Sequence, residues 1–122
     1  MYSAELLDHF QNPRNAGKIE APDAAARLEN PVCGDTLELC LKLEAGHIAE
    51  IRFRAKGCVA AVACGSAITE LVKGRTLETA RLVRREDLIR EVGGLPQESE
   101  HASHLAMDTL SAVLRLAHEN EK

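Results

Sequence analysis

Between residues 36 and 56 the chain writes the same two-residue rhythm twice. Leu37, Leu39, Leu41 and Leu43 alternate with Glu38, Cys40, Lys42 and Glu44. After Ala45-Gly46-His47, Ala49, Ile51, Phe53 and Ala55 alternate with Glu50, Arg52, Arg54 and Lys56. Successive strand side chains point to opposite faces, so this period predicts strands over Thr36 to Glu44 and Ile48 to Lys56, each with one buried and one wet face. A short turn between them makes an antiparallel hairpin. Cys40 falls on the wet face with Lys42, Arg52, Arg54 and Lys56. A stripe of that kind is a solvated surface in the plain reading and a docking surface in the sharper one.

The remaining periodicity is mostly helical. Ser3 to Gln11 reads as a short helix capped by Ser3, with Leu6, Leu7 and Phe10 on one side. Asn12-Pro13-Arg14-Asn15-Ala16-Gly17 stops it. Ala24 to Glu29 is a candidate first strand. Val59 to Lys73 is a helix rich in small residues, ended by Gly74. Thr76 caps a short helix through about Val83, and Arg85 to Val92 makes another before Gly93-Gly94. A last helix from about Ala102 to His118 carries Leu105, Thr109, Leu110, Val113, Leu114 and Ala117 on one stripe. The fold class that follows is α+β: a small antiparallel β-sheet of about three strands with helices packed on one face, in a single domain over residues 1–122.

Bulk composition removes several function classes. A net charge of −4 argues against a nucleic-acid partner, which calls for a basic excess. No apolar run approaches the roughly 18 residues of a membrane span, so no membrane partner is expected. The start, MYSAELLDHF, has neither the basic-then-apolar pattern of a secretory signal nor an Arg-rich transit character. A cytoplasmic location follows as the simplest expectation, with the four cysteines reduced.

Three short segments offer metal-type ligands where the chain turns. NPVCGD (Asn30 to Asp35) gives Cys33 and Asp35, KGC (Lys56 to Cys58) gives Cys58, and LPQESEHAS (Leu95 to Ser103) gives His101. Two thiols, a carboxylate and an imidazole can complete tetrahedral zinc or hold iron. Cys33 and Asp35 precede one hairpin strand and Cys58 follows the other, so the hairpin alone predicts that they meet at one end of the sheet. Gly34 and Gly57 permit sharp turns beside them. The helix after Cys58 is expected to lower its thiol pKa. Nothing in the pattern places His101 beside the others.

Each residue also has a plain reading. Cys33 can be a turn residue, Asp35 a carboxylate capping nearby amides, Cys58 a small buried hydrophobe, and His101 a surface or capping histidine. His104 shares a helix face with His101 without needing a role. Cys64 lies six residues after Cys58, about 600° around a helix, and reads as packing.

Four segments in order resemble the IscU/NifU-type iron–sulfur cluster assembly scaffolds (NifU N-terminal domain-like): LLDHFQNPRNAG, NPVCGD with the GC of FRAKGC, ITELVKGRTLETA, and LPQESEHASHLAMDTL. The resemblance implies a site of Cys33, Asp35, Cys58 and His101. It implies a transient two-iron, two-sulfur (2Fe-2S) cluster, sulfur received from a cysteine desulfurase, and transfer to recipient apo-proteins. Such a protein is a scaffold or carrier and not an enzyme. Sulfur-accepting candidates are Cys33 and Cys58, because Ala102 stands where the family carries a third cysteine. The family's LPPVK-like segment, read by an Hsp70-type chaperone, is LPQES here, with Ser99 replacing the lysine, which weakens that expected partnership. The stretch from Cys58 to His101 leaves no room for the extra segment of the zinc-dependent SufU branch. The loss at Ala102 keeps two further readings open: a Zn2+-binding relative that no longer assembles clusters, and a metal-free interaction module of the assembly machinery.

Overall fold

In the computed structural model, which describes residues 1–121, the hairpin forms from Thr36–Glu44 (β2) and His47–Lys56 (β3), with Thr36 opposite Lys56 at its open end. Its loop is only Ala45-Gly46, with φ of +52° and +79°, the sign pattern of a type I′ turn. His47 is therefore already in the strand. The register shifts between Lys42 and Leu43, because Lys42 faces Glu50 while Leu43 faces Ile48. Ala49 is the extra residue of a bulge. Ile48 and Ile51 are thus both buried, and Ile48 takes the inward place that strict alternation assigns to Ala49.

Ala24–Glu29 (β1) pairs antiparallel with β2, giving a sheet of order β1-β2-β3. Two helices cover one face: Val59–Val72 (α2) lies on β3, and Glu100–Asn120 (α5) lies on β1 and β2. The expected α+β architecture is the one observed. Ala4–Gln11 (α1) packs on the outer side of α2, so α2 is buried nearly all round. This explains its run of Ala, Cys, Gly and Ser. A Cβ on Gly65 would come within 2.7 Å of the Phe53 ring, so glycine lets α2 approach the sheet. Leu77–Ala80 (α3), Arg85–Glu91 (α4) and a 3-10 turn at Gln97–Ser99 lead to α5. The α3 helix stops short of Val83. The last helix begins at Glu100 and ends at Asn120, longer at both ends than its apolar stripe suggests.

Two sequence expectations fail here for packing reasons. On α1, Leu6 is buried, but Leu7 and Phe10 are each 38% exposed, and His9 turns inward instead. Its Nδ1 lies 2.8 Å from Ser66 Oγ and its Nε2 3.3 Å from Glu91 Oε2. Ser66 Oγ also accepts the Arg14 amide at 2.8 Å. The face that α1 meets offers a hydroxyl and a carboxylate, so an imidazole fits there better than an aromatic ring. Ser3 Oγ accepts the Leu6 amide and donates to the Val92 carbonyl, tying the start of α1 to the end of α4.

Cys40 is not on a wet surface. It is 4% exposed, with the Ile19 amide directed at its sulfur. The chain after α1 crosses this side of the sheet. Phe53 donates its amide to Asn15 O and accepts from Gly17, both at 2.9 Å, so this segment also closes the free edge of β3. In the basic stripe, Arg54 pairs with Glu38 and Arg52 with Glu50. These ion pairs within the sheet favour the solvated reading for both arginines. No helix among the described residues is long and apolar enough to cross a membrane.

Two outcomes follow. Ala45 holds a left-handed conformation that an L-residue with a Cβ adopts at a cost of roughly 1–2 kcal/mol. Ala45→Asn is expected to raise stability by about 1 kcal/mol, read as a higher midpoint in urea. Burial pushes the Cys64 thiol up to about 12, with Cys58 a lesser cause. The unfolded thiol ionises first as pH rises through 9, so folding stability falls from there toward pH 12, by up to about 1.4 kcal/mol per unit. The parent is therefore expected to lose stability in alkali more steeply than Cys64→Ala, measured by urea unfolding between roughly pH 8 and 11.

Candidate metal centre

The open end of the hairpin builds the site. Pairing of Thr36 with Lys56 places the residues just outside it, Asp35 and Gly57, face to face. A Cβ on Gly57 would lie 2.1 Å from Asp35 Oδ1, and its φ is +142°. Only glycine leaves room for that carboxylate, which is 6% exposed. Cys58 follows as the N-cap of α2, and its Sγ donates to Asp35 Oδ2 at 3.2 Å.

Cys33 sits on the loop between β1 and β2, and Asn30 folds that loop. Asn30 Oδ1 accepts the Val32 amide at 2.9 Å. The Asn30 amide donates to Asp35 O, and Asn30 O accepts the Gly34 amide, both at 2.8 Å. These bonds close residues 30 to 35 into a tight loop with the Cys33 side exposed. Asn30 had no assigned role in the sequence reading. Its signal was available: an Asx residue before proline in a turn caps backbone amides two positions on.

His101 arrives from the far end of the chain. Because α5 crosses β1 and β2 and starts at Glu100, its first turn stands over this end of the sheet. His101 Nε2 is 3.6 Å from Asp35 Oδ2 and 3.8 Å from Cys58 Sγ. Ligand atoms of Cys33, Asp35 and His101 all lie within 4.8 Å of one another. All four sequence candidates therefore converge, around a carboxylate that is buried while Cys33 is exposed and Cys58 and His101 are half-buried. Ala102, the next residue, is 1% exposed and belongs to the core. His104 is exposed and lines a shallow groove beside His101 without joining the cluster.

The electrostatics correct one expectation. The Cys58 thiol is pushed up, not down. Burial is the main cause, and the Asp35 carboxylate adds to it; the amides of Ala61 and Ala60 at the helix start oppose the shift and lose. With no cation present, the site stores Cys58 as a neutral thiol donating to Asp35. A bound cation reverses that balance by favouring the thiolate. The donor set of two thiols, one carboxylate and one imidazole suits Zn2+ or iron.

Replacing Gly57 by alanine is expected to displace Asp35 and weaken metal binding by at least about tenfold. Titration of the metal-free protein with Co2+, followed by thiolate-to-metal absorption, would read this. An unchanged affinity would show that Asp35 does not help hold the ion.

The profile of the family described as "NifU-like N terminal domain" matches residues 1–121. The "Iron-sulfur cluster assembly scaffold protein IscU 1" of Archaeoglobus fulgidus is 46% identical over 114 residues, spanning 93% of this chain and 74% of that protein. The "Iron-sulfur cluster assembly scaffold protein IscU" of Azotobacter vinelandii is 39% identical over 118 residues, spanning 93% of this chain and 91% of that protein. Among solved structures, a NifU-like protein (N-terminal) from Brucella abortus superposes with a TM-score of 0.77 at 21% identity, covering 96% of this chain and 94% of that one. At that identity it supports the fold alone.

Proposed function

The chain belongs to the NifU-like N-terminal domain family, and on that premise we propose that it is an iron–sulfur cluster assembly scaffold whose labile cargo is held by Cys33, Asp35, Cys58 and His101. The observation that carries the ligand assignment is the convergence of three chain segments at one sheet end: Cys33, Asp35 and His101 within 4.8 Å, and Cys58 within 3.8 Å of the last two. Two thiolates with a carboxylate and an imidazole make a mixed set, and mixed Cys/His ligation of two-iron clusters is chemically established. Two weaker ligands suit a cluster meant to leave. Cys58 Sγ donates its hydrogen bond to Asp35 Oδ2, so Asp35 is the nearest group to receive that proton when the thiolate is needed.

Sulfur enters through Cys33 in this reading. Cys33 is exposed at a loop surface, whereas Cys58 is half-buried and engaged with Asp35. The Cys33 thiolate attacks the outer sulfur of a cysteine desulfurase persulfide. A new S–S bond forms at Cys33 as the donor's S–S bond breaks, and the desulfurase thiolate leaves. Cleavage of the Cys33 persulfide to give bridging sulfide takes two electrons per sulfur, supplied by an external low-potential electron donor or a dithiol, and regenerates the Cys33 thiolate; recipient apo-proteins then take the finished 2Fe-2S cluster. The protein performs no turnover of its own. An Hsp70-type chaperone reading Leu95 to Ser99 would do so without a cationic side chain, since the family's lysine is the buried Ser99 here.

The test is anaerobic reconstitution with ferrous iron, cysteine, a desulfurase and a dithiol reductant, followed by iron, acid-labile sulfide and visible absorption. The parent is expected to hold iron and sulfide in about equal amounts. Cys33→Ser and Cys58→Ser should each lose most of both, and Ala102→Cys should hold its cluster for longer. Zinc alone in the parent, with sulfide only in Ala102→Cys, would make the chain a zinc-binding relative that lost assembly with its third cysteine.

A further inference from the structure

We propose that His104, Asp108 and Glu29 form a capture site for a hydrated divalent cation, from which the ion passes to the metal centre beside it. The relay rests on the reading of that centre given above; the capture site does not. A groove of about 300 Å³ runs between the start of α5 and the end of β1 with the loop that follows it. His101, His104 and Asp108 line it from α5, and Glu29, Asn30 and Pro31 line it from the other side. Among the described residues, no lysine or arginine lines it. His104, Asp108 and Glu29 are all exposed. Neither carboxylate is ion-paired among the described residues, so both are available to a ligand.

That donor set selects the occupant. Two carboxylates in a concave surface without a basic side chain concentrate cations there. Imidazole and carboxylate are ligands of hard and borderline divalent ions. His104 and Asp108 are four residues apart on α5, which makes them neighbours with Cβ atoms about 5–6 Å apart, close enough for both side chains to close on one ion. Glu29 supplies a carboxylate from the opposite wall. His101 connects the groove to the centre. It precedes His104 by one helical turn on the same face of α5, while its Nε2 lies 3.6 Å from Asp35 Oδ2 and 3.8 Å from Cys58 Sγ. Along the helix, His104 and Asp108 stand roughly 5 and 10 Å from His101. An ion held by three exposed donors keeps the rest of its water and exchanges readily. Its onward step is ligand exchange alone, with no change of oxidation state: the exposed donors are replaced by His101, Asp35 and the two thiolates, which bind Fe2+ or Zn2+ more strongly.

The first probe is Mn2+, a paramagnetic ion that favours carboxylate over thiolate. Added in small amounts to isotope-labelled Cys33→Ser/Cys58→Ser, it is expected to broaden the amide signals nearest His104, Asp108 and Glu29 first. His104→Asn/Asp108→Asn in that background should lose most of the broadening, and Asp108→Glu should keep it. The second probe is limiting Co2+ in stopped flow, read by thiolate-to-metal absorption. Loading of the centre is expected to be about tenfold slower in His104→Asn/Asp108→Asn than in the parent, with the same affinity at equilibrium. The difference should shrink as salt rises. Mn2+ broadening that survives the double substitution, or that spreads evenly over exposed carboxylates such as Glu119 and Glu121, would mean adventitious binding and overturn the capture site. An unchanged Co2+ loading rate would overturn the relay. A parent that gives no thiolate-to-metal absorption at all would overturn the ligand assignment of the centre and the relay with it, while the Mn2+ result would still decide the capture site.

Discussion

The pairing of β2 with β3 is the constraint on which the rest of this molecule depends. A two-residue turn closes one end of the hairpin, and the antiparallel register then brings Thr36 to Lys56 at the other. What lies just outside that pair is fixed to within a residue or two: Asp35 on one side, Gly57 and Cys58 on the other. The chain cannot separate these groups without breaking the ladder that buries Leu37, Leu39, Leu41, Ile51 and Phe53. The site is thus stabilised by the core beneath it, and its own contacts need supply little.

Asp35 is the pivot of the local chemistry. A nearly buried carboxylate requires partners, and here it has the Cys58 thiol and the His101 ring. Gly57 makes room for it, and Asn30 holds the backbone that presents it. The arrangement leaves Cys33 exposed and Cys58 sheltered, so two thiols of the same type have different access to solvent. In the proposed ligand set this asymmetry leaves one thiol reachable, with the other three groups anchored on a strand end and two helices.

Much of the fold was legible in advance because its signals are local. The alternating leucines defined β2 to the residue, Ala24 to Glu29 formed the third strand, and Ser3 capped α1 as its position suggested. The failures have a common physical origin. Cys40 looked wet because alternation reports which side of a strand a residue takes, not what later covers that side; the segment after α1 did so. Phe10 looked like core because it is apolar, yet α1 meets a polar patch on α2 and α4, and His9 was selected. Ile48 displaced Ala49 because a bulge resets the period. The Cys58 thiol moved up because burial and a neighbouring carboxylate outweigh the amides of one helix end.

The candidate ligands divide the same way. Sequence by itself determined the hairpin and the candidate donors on its flanks, and hence the meeting of Asp35 with Cys58, since each follows from residue identity and a period of two. Only the tertiary structure decided that His101 joins them and that Asp35 is buried while Cys33 is open. Those outcomes depend on where α5 crosses the sheet. That crossing is set by the summed packing of Leu105, Leu110, Val113 and Leu114 against strands and helices far away in the chain, and such long-range complementarity leaves no mark in any short window of sequence.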